Sequence, residues 1–114
     1  FHATKSDKNG NIQIGRRREL ATLAHASKKV FVTVEEIVDE DFYENEVNAA
    51  ATLPALYIDG IAVSKNGAWP CGLTGKYNPD LEELKNYSLA AKNQNTFDSY
   101  MRVFLNSDNL KAAQ

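Results

Sequence analysis

Apolar and polar positions alternate along part of the chain and recur at helical spacing elsewhere. Ile12-Gln13-Ile14 has the two-residue period of a short strand. Asn9-Gly10 precedes it, a turn signal because both residues tolerate positive φ. Gly15 breaks the strand. Leu20, Leu23, Ala24 and Ser27 share one helical face, which predicts a helix over residues 17–27. Lys28 and Lys29 stand at its end, where they complement the helix dipole. Val30-Phe31-Val32-Thr33-Val34 is β-branched or aromatic throughout. It shows no alternation, so it reads as a strand buried on both faces, as in a parallel sheet. Strand, helix and strand fit one right-handed βαβ unit.

Residues 35–52 are acidic and end in Ala49-Ala50-Ala51, a loop with one short helix. Pro54 opens a second apolar run, 55–63, which Asp59-Gly60 divides into one bent strand or two short ones. A loop over 64–79 holds Gly67, Pro70, Gly72 and Gly75. Asn78-Pro79 predicts a helix start, with Asn as N-cap and Pro at the first helical position. Leu81, Leu84 and Ser88 mark one face of that helix. A last helix is expected over 96–105, where Phe97, Tyr100, Met101 and Phe104 form an amphipathic stripe of core or interface type. The polar tail, 106–114, is expected to fray. The fold class is therefore α/β, an open and mostly parallel sheet flanked by helices. About three strands are too few for a stable parallel sheet, which needs both faces covered. The 114 residues are thus expected to be one domain-sized piece of a larger assembly, and Phe1 in place of a methionine fits that expectation.

Composition narrows the class. Hydrophobic content of 43% and charged content of 25% are ordinary for a globular protein. No run approaches the roughly 18 apolar residues of a membrane span, so no membrane partner is expected. The single cysteine, Cys71, permits no internal disulfide, which fits a cytoplasmic setting. Net charge is −2, unevenly spread. Residues 1–29 carry seven Lys or Arg against Asp7 and Glu19, whereas 35–59 carry eight acids and no Lys or Arg. Mixed surface charge of this kind reads as solvated faces that pair with one another. The basic stretch has no interleaved aromatics, so nucleic acid is not expected.

Candidate chemistry is sparse. Glu35 and Glu36 directly follow the apolar strand, and ligands of open α/β sheets bind beyond the carboxyl ends of strands. A carboxylate there suits acid–base or positioning work; a helix cap or a solvated side chain is the plainer reading. Cys71, in Trp69-Pro70-Cys71-Gly72, has no activating group at a recognisable spacing, so an inert thiol is expected. One cysteine and two distant histidines match no metal spacing. The loop over 67–75 carries neither a Walker motif nor a dinucleotide fingerprint. The residues by themselves name no reaction.

Four segments together resemble the alpha subunit of family I coenzyme A transferases, in its glutaconate-type branch. They are His2 through Asn11, with His2-Ala3, Asp7 and Gly10-Asn11; Lys28 through Glu35-Glu36-Ile37-Val38; Pro54 through Val63; and Gly67-Ala68-Trp69-Pro70 followed by Gly75-Lys76-Tyr77-Asn78-Pro79-Asp80. The resemblance runs from His2 to about Leu105 and implies a C-terminal portion of that subunit. It implies transfer of coenzyme A between an acyl-CoA and a carboxylic acid through a glutamyl-CoA thioester. The nucleophilic glutamate is then carried by a partner beta subunit in a Glu-Asn-Gly context, whereas here Lys8 and Lys65 precede the Asn-Gly pairs. No catalytic residue is expected in this chain and no cofactor bound, the coenzyme A thioester being substrate. Asn11, Glu35, Glu36 and Trp69 are the candidate substrate-binding positions, shaping a site at the subunit junction. An acyl-CoA hydrolase of the same fold and a non-catalytic assembly module are the alternatives.

Overall fold

The computed structural model describes residues 1–106. The tail expected to fray lies, from residue 107 on, outside them. The chain divides into two compact units, residues 1–67 and residues from 68 on.

The first unit is built on five strands: β1 (His2–Ser6), β2 (Ile12–Gln13), β3 (Phe31–Ile37), β4 (Thr52–Leu53) and β5 (Gly60–Val63), in the order β4-β2-β1-β3-β5. β1, β3 and β5 are parallel, with His2 opposite Thr33 and Val34 opposite Val63. β2 runs against both β1 and β4, so the sheet is mixed although four of its strands share a direction. The hairpin between β1 and β2 turns at Gly10, at φ 85°, while Asn9 keeps a negative φ. The expected βαβ unit is therefore re-wired. β3 pairs with β1 rather than with the 12–14 segment, and α1 (Glu19–Ala26) makes the crossover.

β3 departs from the expected two-sided burial. Val32 and Val34 are buried against α1 with Ala3 and Ala24, whereas Phe31 and Ile37 on the opposite face are 66% and 54% exposed. The strand also continues through Glu35 and Glu36, which therefore lie on it and point to opposite faces. The run 55–63 is not one strand. Pro54 leads into a 3-10 turn at Ala55–Tyr57, and only Gly60–Val63 joins the sheet. The acidic segment forms a 3-10 turn at Phe42–Glu44 and α2 (Glu46–Ala50), capped by the Asn45 side chain. Lys29 of the basic segment pairs with Asp59 at 3.4 Å, the lysine side chain largely exposed.

The second unit holds α3 (Leu81–Ala90) and α4 (Gln94–Phe104). The aromatic stripe of α4 packs internally as expected: Phe97 and Tyr100 meet Tyr87 edge-on, and Phe104 stacks on Trp69. The N-cap of α3 is Asp80, whose side chain accepts from Glu83 N, rather than Asn78. No helix among the described residues is long and apolar enough to cross a membrane.

Candidate functional site

The parallel register of β1 and β3 sets His2, Thr33 and Glu35 on one face of the sheet, because side chains two apart on a strand point the same way. His2 Nδ1 lies 2.8 Å from Thr33 Oγ1, and His2 Nε2 lies 2.9 Å from Glu35 Oε1. The His2 and Glu35 side chains are only 10% and 11% exposed. The second carboxylate oxygen, Oε2, accepts from the backbone N–H of Asn66 at 2.9 Å. Asn66 is held at φ 55°, in the left-handed region, and its neighbour Gly67 packs directly against the imidazole. A Cβ on Gly67 would be 2.5 Å from His2 Cε1. Loop 64–67, which follows the carboxyl end of β5, is thus folded back onto β1 and β3. An open cleft beside it is lined by His2, Thr33, Gly67, Phe31 and Ala62.

Hydroxyl, imidazole and carboxylate in line suggest nucleophilic relay chemistry. Such chemistry also needs donors for an oxyanion. The nearby loop amides are engaged elsewhere, Asn66 N–H on Glu35 and Gly67 N–H on Ser64 O at 3.2 Å. A neutral imidazole protonated at Nε2 donates to Glu35 and accepts from Thr33; an imidazolium donates to both. The geometry tolerates either form, and what it fixes is the position of the loop.

Asn11 belongs to a different cluster. Asp7, 1% exposed, accepts at Oδ1 from Asn9 N and Asn11 N and at Oδ2 from Asn11 Nδ2 and Phe42 N, all at 2.9–3.0 Å. Asn11 Oδ1 in turn accepts from Ala55 N at 2.9 Å. Burial alone would raise the Asp7 carboxyl, but the hydrogen bonds from Asn11, Phe42 and Asn9 outweigh it and hold the pKa below its ordinary value. Asp7 thus ties the β1–β2 turn to the segment at Phe42, and the Asn11 side chain braces Asp7 with its nitrogen and ties the turn to Ala55 with its oxygen.

Glu36 is exposed on the face of β3 opposite Glu35. Trp69 belongs to the second unit, where its indole N–H donates to Asp80 Oδ2 at 3.1 Å. Its ring stacks on Phe104 with planes 1° apart. Of the four candidates, Glu35 alone stands on the His2 and Thr33 constellation. Sequence reasoning misses His2 and Thr33 as site residues, although His2 opens the first motif. The signal that would find them is the pairing of β1 with β3, which places a histidine beside the strand carrying Glu35.

No family model matches the sequence. The A subunit of glutaconate CoA-transferase from Acidaminococcus fermentans is 29% identical over 109 residues, covering 92% of this chain and 33% of that protein. The A subunit of 3-oxoadipate CoA-transferase from Pseudomonas knackmussii is 28% identical over 92% of this chain and 36% of its own length. The crystal structure of the Acidaminococcus glutaconate coenzyme A-transferase superposes on 92% of this chain with a TM-score of 0.78 and 28% identity, over 33% of that chain. This chain is homologous to the A subunits of glutaconate CoA-transferase and 3-oxoadipate CoA-transferase. It spans about a third of the length of the curated relatives it matches. The CoA-transferase fold is not tied to one named activity: the decarboxylase AibA/AibB, in a variant form, matches 90% of this chain and 37% of its own with a TM-score of 0.67 and 30% identity.

Proposed function

We propose that this chain is part of the A subunit of an enzyme that moves coenzyme A between an acyl-CoA and a carboxylic acid. The observation that carries the reading is homology over 92% of the chain to the A subunits of two transferases named for different acids. In the reaction, the partner beta subunit provides a glutamate carboxylate, which attacks the thioester carbonyl and displaces the coenzyme A thiolate. The thiolate then attacks the glutamyl carbonyl of the resulting anhydride, which releases the first acid and leaves a glutamyl-CoA thioester. The acceptor carboxylate reverses both steps and restores the glutamate. Covalent catalysis of this kind divides one difficult exchange into two easier ones. This chain supplies no nucleophile. Glu35 shapes the site at the subunit junction, and Asn11 and Trp69 each order the backbone of their own unit. The enzyme works in the cytoplasm as a hetero-oligomer, and coenzyme A thioester is its substrate.

The likeness to AibA/AibB supports a second reading, loss of carbon dioxide from an acyl-CoA on the same scaffold. One assay separates the two. The full-length protein, purified with its partner subunit, is given an acyl-CoA with and without a labelled carboxylic acid. The transferase reading expects labelled acyl-CoA that depends on the acceptor, and a coenzyme A adduct on the partner by mass spectrometry. Carbon dioxide release without label transfer supports decarboxylation. Acceptor-independent thiol release supports a hydrolase. An adduct on this chain overturns the placement of the nucleophile.

A further inference from the structure

Loop 64–67 stands at the carboxyl edge of the parallel strands, the edge at which open α/β sheets meet ligands. Its first residue is tied to β3 by Ser64 N–H on Val34 O at 2.8 Å, and its tip is held by one carboxylate. Glu35 reaches Asn66 N–H with Oε2 and His2 with Oε1, both at 2.9 Å, and Thr33 fixes the far nitrogen of the ring at 2.8 Å. Gly67 is seated so close to the imidazole that no side chain fits there. We propose that Glu35 is a positioning residue: with His2 it latches loop 64–67 over β1 and β3, sets one wall of the adjoining cleft, and carries no proton in the reaction. The effect on the loop stands on the geometry; the effect on catalysis rests on the transferase reading.

The latch and the acid–base alternative differ in what glutamine can replace. In Glu35→Gln the amide oxygen accepts from Asn66 N–H, and the amide nitrogen donates to His2 Nε2. The imidazole then takes its other tautomer and donates from Nδ1 to Thr33 Oγ1. The contacts to Asn66 and His2 survive, and His2 keeps Thr33, but no carboxylate remains. Glu35→Ala removes the contacts, and Gly67→Ala forces the loop from the ring while leaving the carboxylate in place.

The test uses the full-length protein in complex with its partner. Two readouts are taken, hydrogen exchange at the Asn66 amide and steady-state kinetics with acyl-CoA. Losing a charge-assisted hydrogen bond of this kind should speed Asn66 exchange about tenfold in Glu35→Ala. The KM for acyl-CoA should rise while kcat stays within about threefold, the pattern of lost binding geometry rather than lost chemistry. Gly67→Ala should reproduce both changes, and it gives the same answer should Glu35→Ala fail to fold. Glu35→Gln should keep Asn66 exchange near that of the wild type and raise the KM less than Glu35→Ala does. The proposal is overturned by unchanged Asn66 exchange in Glu35→Ala and Gly67→Ala, or by a Glu35→Gln kcat lowered more than about tenfold with one limb of the pH–rate profile gone. Should the wild type transfer no coenzyme A, the functional reading falls and the exchange comparison alone decides the latch.

Discussion

Asp7 accepts from donors that lie up to 35 residues away in sequence, and Asn11 extends the cluster to Ala55, 44 residues from it. Removing the carboxylate strands N–H groups of Asn9, Asn11 and Phe42, in two segments at once. Each unsatisfied buried donor costs roughly 1–3 kcal/mol, so Asp7→Ala should lose on the order of 3 kcal/mol or more, read as a lower urea midpoint at neutral pH. The pH dependence follows from the sign of the shift. The folded pKa lies below the ordinary value of 3.8. The carboxylate therefore contributes stability that is complete above the unfolded value and is lost as pH falls through the folded one. The gap between wild type and Asp7→Ala should narrow below the ordinary carboxylate pKa; a constant gap would mean that the charge contributes nothing. Sequence could point to Asn11 through its Gly-Asn pair but not to this role, because neither Phe42 nor Ala55 announces that its N–H is orphaned.

At the scale of elements, long apolar patterns were legible and short or small-residue ones were not. The helix over 17–27, the strand from 30 and the stripe of α4 came from spacing alone, and each is present within a few residues. β1 escaped because its one core residue is Ala3, too small to mark a period among His2, Thr4, Lys5 and Ser6. β4 escaped because it is two residues long. In β3, valines placed at alternate positions with Phe31 and Thr33 between them hid the alternation, since both sets favour strands. For α3, Asn78-Pro79 looked like a start, yet Asp80 holds the cap because it satisfies both Glu83 N–H and the Trp69 indole. The Glu83 backbone bond, then the indole, hold the Asp80 carboxyl below its ordinary pKa. Asp80→Ala should fray the first turn of α3 and release Trp69, lowering helical circular dichroism and shifting the emission of the single tryptophan. Asp80→Asn should preserve the cap. Unshifted emission in Asp80→Ala would show that stacking on Phe104 alone places the indole.

Across the whole molecule, the polar groups are better satisfied than the apolar ones. Among the described residues no buried side-chain nitrogen or oxygen lacks a partner. Phe31 and Ile37 nevertheless stand exposed on the face of β3 turned away from α1, and Leu56, Val47 and Val103 are 85%, 79% and 64% exposed elsewhere. Parallel strands are normally covered on both faces, and exposed apolar side chains that recur along one face mark a surface meant for contact. The relatives are about three times as long as the part matched here, so further polypeptide or a partner subunit is available to them for that purpose. Residues 1–114 should therefore bind a hydrophobic dye and self-associate in sedimentation velocity. Replacing Phe31 and Ile37 by serine should reduce both effects in the short chain without disturbing Val32 and Val34, which face α1. A short chain that sediments as a monomer and ignores the dye would mean that this face is stable in water, and the need for a covering layer would then have to be sought at the edge strands, β4 and β5, rather than on the face of the sheet.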